Sequence, residues 1–338
     1  MTSCLITLKP LTDDESLSGY SRAGLRQLTG STKVSMTLPF TRMAFFTEQP
    51  LRQQGMSISG YQPKLSLCIR EGQFTVTDTD GYYLLKPSPE QYPSLAENEH
   101  ATMTVMRRLG FDVPACGLVS FMCTPVHPIQ EYAFLIQRYD RNVKTKARIQ
   151  QEQLDGAMKI EDKYGVQSGE QAVSYSMIGR FISQVVPGVR TKIIYFRQVI
   201  YAYLLGNNDL HLRNFSILRP ETAPDELAPV YDFVTTAPYP STFHSAYLAL
   251  PLLDDEINGG LAPGFNSAYG QYIGLDFVLF GQSIGLNEKL IRKIITGINQ
   301  DAEIVRETYK TSYMPSEHIE SVLQCFNQRM NLINVLTI

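Results

Sequence analysis

The chain has few cysteines, few histidines and no long apolar run, and each shortage removes a class of function. Its five cysteines, Cys4, Cys68, Cys116, Cys123 and Cys325, are odd in number, scattered, and nowhere form a C-x-x-C. Reduced thiols in a cytosolic protein are therefore the expectation, not a disulfide framework. The five histidines are equally dispersed, which argues against a zinc site. No apolar run approaches the roughly 18 residues of a membrane span. The start, Met1-Thr2-Ser3-Cys4, has no basic segment leading into an apolar one, so no signal peptide is expected. The localisation read from this is cytoplasmic, without membrane contact. Basic excess is missing too. The net charge is −3, whereas dedicated nucleic-acid binders are clearly basic, so no direct nucleic-acid binding is expected. No internal repeat or low-complexity tract stands out.

What is there has the composition of a globular protein. The 338 residues are 43% hydrophobic and 19% charged, enough for one large domain or two lobes. Residues 64–69, 74–78 and 82–86 are short apolar or alternating runs separated by Glu71-Gly72 and Asp80-Gly81, which predicts a β-meander. A helix is predicted from Leu95 to Leu109, with Ser94 and Glu97 as a capping box and Gly110 as its stop. Its buried stripe is Met103, Met106 and Leu109. Residues 117–122 and 132–137 read as two more strands. Residues 141–170 are polar and mixed and read as a connector or irregular insertion. From Val173 the period becomes helical: 173–186, 192–205, 275–285, 288–312 and 317–334 are predicted helices. Residues 235–270, rich in Pro, Gly, Ser and Tyr, read as an ordered loop region over a site. The expected fold class is α+β and bilobal, with a β-rich small lobe and a larger helical lobe. The expected boundaries are an N-terminal extension over 1–54, the small lobe with its nucleotide-binding loop over 55–140, and the helical lobe with the catalytic loop over 141–338.

One stretch carries chemistry. Gly206-Asn207-Asn208-Asp209-Leu210-His211-Leu212-Arg213-Asn214 places an acid and an amide five positions apart, after a buried helix. Phosphotransferases of the protein-kinase type use such a pair, the Asp to orient or accept the proton of the attacking hydroxyl and the Asn to hold magnesium on the nucleotide phosphates. A second metal carboxylate is needed downstream, and Asp232, in Ala228-Pro229-Val230-Tyr231-Asp232-Phe233, fits. Alone, an Asp and an Asn at this spacing also describe a capped turn. A sheet-rich part, a helical part and a loop after a buried helix make the context of a kinase. Lys86, ending the run Tyr82-Tyr83-Leu84-Leu85, is the candidate phosphate-binding lysine, although a strand-end lysine is commonly just solvated. Its partner is Glu97 or Glu99. The loop 55–64, with Ser57, Ser59 and Gly60, is neither a G-x-G-x-x-G nor a Walker motif, yet it is rich in small polar residues that could cover phosphates. Gln137, Arg138 and Tyr139 stand where an adenine hinge belongs.

Several segments taken together resemble one family, the HipA-type serine/threonine kinase toxins of bacterial toxin–antitoxin modules. They are Ser59-Gly60-Tyr61-Gln62-Pro63-Lys64, Leu84-Leu85-Lys86-Pro87, Ala96-Glu97-Asn98-Glu99, Gly110-Phe111-Asp112-Val113-Pro114, Arg138-Tyr139-Asp140-Arg141, Gln151-Glu152, the Gly206 to Ser216 stretch, and Ala228-Pro229-Val230-Tyr231-Asp232. The kinase-like loop begins near residue 55, so the resemblance is greatest to HipT, the short toxin of tripartite HipBST modules. The resemblance implies ATP and Mg2+ as cofactors and an aminoacyl-tRNA synthetase, the tryptophanyl enzyme in the HipT branch, as substrate. It implies Asp209 as base, Asn214 and Asp232 as magnesium ligands, and Lys86 on the phosphates. Ser57 and Ser59 become autophosphorylation sites. A small HipS-like protein and a HipB-like DNA-binding antitoxin become partners. His211 follows the acid, whereas ordinary protein kinases carry His-Arg-Asp, so His211 is placed at the nucleotide site without a settled role. Two other functions compete. One is a small-molecule kinase of the aminoglycoside type, for which Asp254, Asp255 and Glu256 are the one acidic cluster of the loop-rich half. The other is a catalytically silent scaffold that binds an antitoxin.

Overall fold

The structure, a computed structural model, describes residues 3–47, 63–125, 128–142, 145, 147–239 and 247–337. The chain divides into two compact units.

The first unit comprises Met1–Arg108, Asp112–Arg148 and Glu307–Pro315. Its centre is an antiparallel sheet of β1 (Leu65–Arg70), β2 (Gln73–Val76), β3 (Tyr83–Pro87), β4 (Cys116–Ser120) and β5 (Tyr132–Gln137), in the order β2-β1-β3-β5-β4. The expected meander is β2-β1-β3. Its first turn is Glu71-Gly72, which joins the paired residues Arg70 and Gln73 with φ of 51° and 74°. Two central residues at positive φ are what a tight hairpin with the strands' natural twist requires. The predicted helix forms over Leu95–Arg108 and is buried on nearly every side, from Ala96 through Met106. Its capping box does not form. Ser94 sits at φ 58°, and Ser88 Oγ accepts the Ala96 N–H instead, at 2.9 Å.

Residues 3–47 are built into this unit. Helix Arg22–Thr29 starts at Ser21, whose hydroxyl accepts the Gly24 N–H. Residues 36–40 run along the open edge of β4, where Leu38 N–H donates to Ser120 O, Ser120 N–H to Met36 O, and Met122 N–H to Phe40 O. Covering an edge strand removes a template for misplaced pairing. Leu5, Ile6, Leu8, Met36, Leu38 and Phe45 are all buried.

The second unit comprises Leu109–Phe111, Ile149–Arg306 and Ser316–Ile338. Its predicted helices are present as Tyr175–Val185, Val189–Leu205, Gly274–Ser283, Glu288–Lys310 (as far as Arg306) and Ser316–Ile333. Helix Val189–Leu205 is the core, with every residue from Val199 to Leu205 buried. Aromatic rings fill the space around it. Tyr195 tilts against Phe215 at 5.4 Å and Phe196 stacks on Phe280 at 5.6 Å. The stretch 141–170 is not an irregular insertion. It supplies β6 (Gln150–Gln153), the helix Leu154–Met158 and, near its end, the first strand of the ribbon β7 (Val166–Gln167) with β8 (Glu170–Gln171). β6 pairs with β9 (Ser216–Arg219), and β9 with β10 (Glu226–Leu227), in a second antiparallel sheet. Strands concentrate in the first unit and helices in the second, the α+β class expected. No described helix is long and apolar enough to cross a membrane.

Candidate active site

The loop of the second unit is set by the end of its core helix. Val189–Leu205 stops at Gly206, whose φ of 73° is left-handed and natural to glycine. The chain then turns at buried Asn207, whose Oδ1 accepts the Asp209 N–H at 3.0 Å. Asn208 is tied down as well, since the Thr236 hydroxyl stands 2.6 Å from its Oδ1 and 2.8 Å from Gly206 O, with its one proton shared between the two acceptors. After Asp209 a short 3-10 turn, Leu212–Asn214, folds Asn214 back so that its Oδ1 accepts the His211 N–H at 2.8 Å. Asn214 Nδ2 reaches Asp232 O at 3.5 Å, a weak bond that nonetheless sets the two residues side by side. Asp232 has φ 53°, an unusual conformation that Asp tolerates better than most residues. The structure thus brings Asp209, His211, Asn214 and Asp232 into one loop cluster.

Two residues that the sequence patterns gave no reason to single out complete it. Tyr164 Oη donates to Asp209 Oδ1 at 2.7 Å. Lys163 Nζ stands 4.0 Å from the same oxygen. His211 Nε2 lies 3.9 Å from it, but burial holds the imidazole below its ordinary pKa, so at neutral pH it faces Asp209 as a dipole and not as a cation. Among the described residues, Lys163 is therefore the positive charge beside Asp209.

The cluster offers oxygen donors to a hard cation, one carboxylate at Asp232 and one amide at Asn214. Among the described residues no three His, Cys, Asp or Glu side chains group as a metal site. Magnesium bound through nucleotide phosphates needs only one or two protein ligands, so the donor set fits it.

In the first unit, Lys86 on β3 is almost fully buried and donates from Nζ to Glu99 Oε1 at 2.7 Å. Glu99 is the partner, and Glu97 is not. Glu97 faces Ser88 Oγ at 3.5 Å, and burial pushes its carboxyl up to about 7. At the end of β5, Gln137 N–H donates to Ala115 O and Arg138 N–H to Tyr82 O. The Arg138 guanidinium forks onto both oxygens of Asp140, at 3.0 and 2.7 Å, a geometry that orders its side chain. Tyr139 follows directly. Ser57, Ser59 and Gly60 lie outside the described residues.

The acidic cluster Asp254, Asp255 and Glu256 begins a 3-10 turn. Asp254 is engaged by Ser174 at 2.6 Å and Arg180 at 2.7 Å. Glu256 accepts from Leu253 N–H at 2.7 Å and Tyr272 Oη at 2.6 Å. Two of its three carboxylates are thus spent on holding the loop.

Residues 56–305 match the family described as the HipA-like C-terminal domain. The chain belongs to that family. A Haemophilus influenzae protein named "Putative kinase" is 52% identical to it over 341 residues, spanning 99% of this chain and 98% of the relative. The Shewanella oneidensis serine/threonine-protein kinase toxin HipA is 24% identical over 259 residues, 72% of this chain and 54% of that one. A solved Shewanella oneidensis HipA, in complex with HipB and operator DNA, superposes with a TM-score of 0.63 at 18% identity, covering 83% of this chain and 66% of that one. The fold of this HipA-family chain is therefore HipA-like, and the relatives matched to it are named as kinases.

Proposed function

We propose that this HipA-family chain is an ATP-dependent serine/threonine protein kinase and the toxin of a bacterial toxin–antitoxin module. The observation that carries the reading is the loop cluster in which Asp209, Asn214 and Asp232 are held together at the end of helix Val189–Leu205. Asp209 is the base toward the attacking hydroxyl. Asn214 and Asp232 hold Mg2+, which when bound draws charge from the phosphates. Lys86, fixed by Glu99, binds the phosphates, and Ser59, Gly60 and His211 line the nucleotide site. The segment Gln137–Tyr139 receives the adenine. Retention of Lys86, Asp209, Asn214 and Asp232 favours turnover over a silent scaffold. Engagement of Asp254 and Glu256 within their own loop disfavours a polycation cleft of the aminoglycoside-kinase kind.

On the HipT resemblance, the substrate is an aminoacyl-tRNA synthetase, the tryptophanyl enzyme first, and its phosphorylation halts translation. Autophosphorylation of Ser57 and Ser59 restrains the kinase. A small HipS-like protein and a HipB-like antitoxin bind it. The apolar side chains Met43 and Phe46 of helix Arg42–Thr47 in the first unit are exposed, a candidate face for the small partner. The test is to incubate the pure chain with ATP and magnesium, alone and with a panel of synthetases, and to map phosphate by mass spectrometry. Transfer to the tryptophanyl enzyme and to the loop serines supports the reading. Absence of transfer to any protein overturns it. Co-expression with the product of the neighbouring upstream gene tests the partner through complex formation and growth.

A further inference from the structure

The Asp209 carboxylate is held from one side. Every hydrogen bond and ion pair that the described residues make with it falls on Oδ1, from Tyr164 at 2.7 Å and Lys163 at 4.0 Å, and the neutral His211 Nε2 stands 3.9 Å from the same oxygen. A carboxylate has two oxygens and about four lone-pair sites, so Oδ2 is left for another donor.

The two upstream holders are themselves braced on the loop they serve. Lys163 O accepts the Leu212 N–H at 3.0 Å. Tyr164 N–H is fixed by Asp162 Oδ1 at 2.7 Å, and Tyr164 O by Gln171 Nε2 at 3.0 Å. The Tyr164 ring meets His211 edge-on, with centroids 5.4 Å apart at 80°. Lys163 Nζ lies 4.7 Å from the Tyr164 ring centre, where a cation is attracted to the ring face and, by drawing on its electrons, makes the phenol a stronger donor.

Given the kinase reading above, we propose that Tyr164 and Lys163 are positioning residues for Asp209, fixing Oδ1 so that Oδ2 takes the proton of the attacking hydroxyl. In that step the hydroxyl oxygen forms a bond to the γ-phosphorus of ATP. The bond from that phosphorus to the bridging oxygen breaks, and its electron pair leaves on ADP. The hydroxyl proton goes to Oδ2. Tyr164 sets the rotation of the carboxylate. Lys163 offsets the repulsion between an anionic base and an anionic phosphoryl group.

The experiment uses full-length Tyr164→Phe, Tyr164→Ala, Lys163→Met and Lys163→Arg chains beside Asp209→Asn. Phosphotransfer from labelled ATP gives kcat and KM. Calorimetry with magnesium and a non-hydrolysable ATP analogue gives nucleotide affinity without turnover. A hydrogen bond to a charged group is a ~10–100-fold effect on rate. Tyr164→Phe is expected to lose that much kcat, about as much as Tyr164→Ala, with analogue affinity within about twofold of wild type. Lys163→Arg is expected to recover most of what Lys163→Met loses. A Tyr164→Phe chain with wild-type kcat beside an inactive Asp209→Asn chain overturns the positioning role and leaves the kinase reading standing. Loss of analogue affinity in step with kcat also overturns it, by assigning the pair to folding of the site. Full turnover by Asp209→Asn, or none by the wild type, overturns the underlying reading and the positioning role with it.

Discussion

Lys86 and Glu99 form an ion pair of 2.7 Å in which the Glu99 side chain is fully buried and that of Lys86 nearly so. Removing one member of such a pair strands a charge away from water, at a cost of ~3–5 kcal/mol. Glu99→Gln is therefore expected to lower the denaturation midpoint and to weaken nucleotide binding together. Glu97→Gln is expected to leave the Lys86 contact intact. Chemical denaturation and nucleotide titration of both variants check this, and equal effects from both would return the partner assignment to an open choice.

Two groups of the first unit, the buried His100 and the half-buried Glu97, should tilt stability with pH in opposite directions. His100 donates from Nε2 to Ile6 O at 3.0 Å in its neutral form, and burial pushes its pKa down to about 4 from an ordinary 6.5. Below pH 6.5 the unfolded chain takes up the proton first, so this contribution is lost as pH falls toward 4, by up to ~3 kcal/mol. Glu97 is raised from 4.5 to about 7. Its contribution is present below pH 4.5 and is lost as pH rises through 7. Relative to wild type, His100→Gln is thus expected to gain stability between pH 7 and 5, and Glu97→Gln between pH 5 and 8. Denaturation curves across that range decide both signs.

Asp232 sits at φ 53°, which Asn also accepts but a β-branched residue does not. Asp232→Asn should fold normally while requiring more magnesium for turnover. Asp232→Val should lose stability as well. Thermal midpoints and magnesium titrations of the two separate backbone strain from ligand loss.

Phosphate on Ser57 or Ser59 adds about −1.5 to −2 charges near neutral pH. On the proposal that this loop covers the phosphates of ATP, the added charge repels them, so nucleotide affinity is expected to fall with one phosphate and further with two. Unchanged affinity in both forms would make these serines ordinary loop residues.

Local patterns made β1 to β5 and the long helices legible, because each carries its own period and stop signal. Helix Leu95–Arg108 ends before Gly110 as expected. Its start at Leu95 is also as expected, but its cap is not, because Ser88, six residues before Ser94, folds back to take the first-turn N–H. The second sheet was invisible because β6 is the polar run Gln150–Gln153 and β10 has two residues. Their pairing with β9 is a tertiary event that no alternation announces. Glu97 and Glu99 could not be told apart by spacing, since both lie on the first turns of one helix, and only its packing against β3 shows which one Lys86 meets. Spacing did draw attention to Asp209, Asn214 and Asp232. Lys163 and Tyr164 lie about 45 residues upstream of Asp209, in a polar stretch with no motif, and only folding puts them beside it.

The most direct test of the account is single-turnover transfer of the γ-phosphate of ATP by wild-type and Asp209→Asn chains, with folding checked by thermal midpoint. General-base and orientation effects predict a ~10²–10⁴-fold lower rate for Asp209→Asn at an unchanged midpoint. A well-folded Asp209→Asn chain that transfers phosphate at the wild-type rate would contradict it.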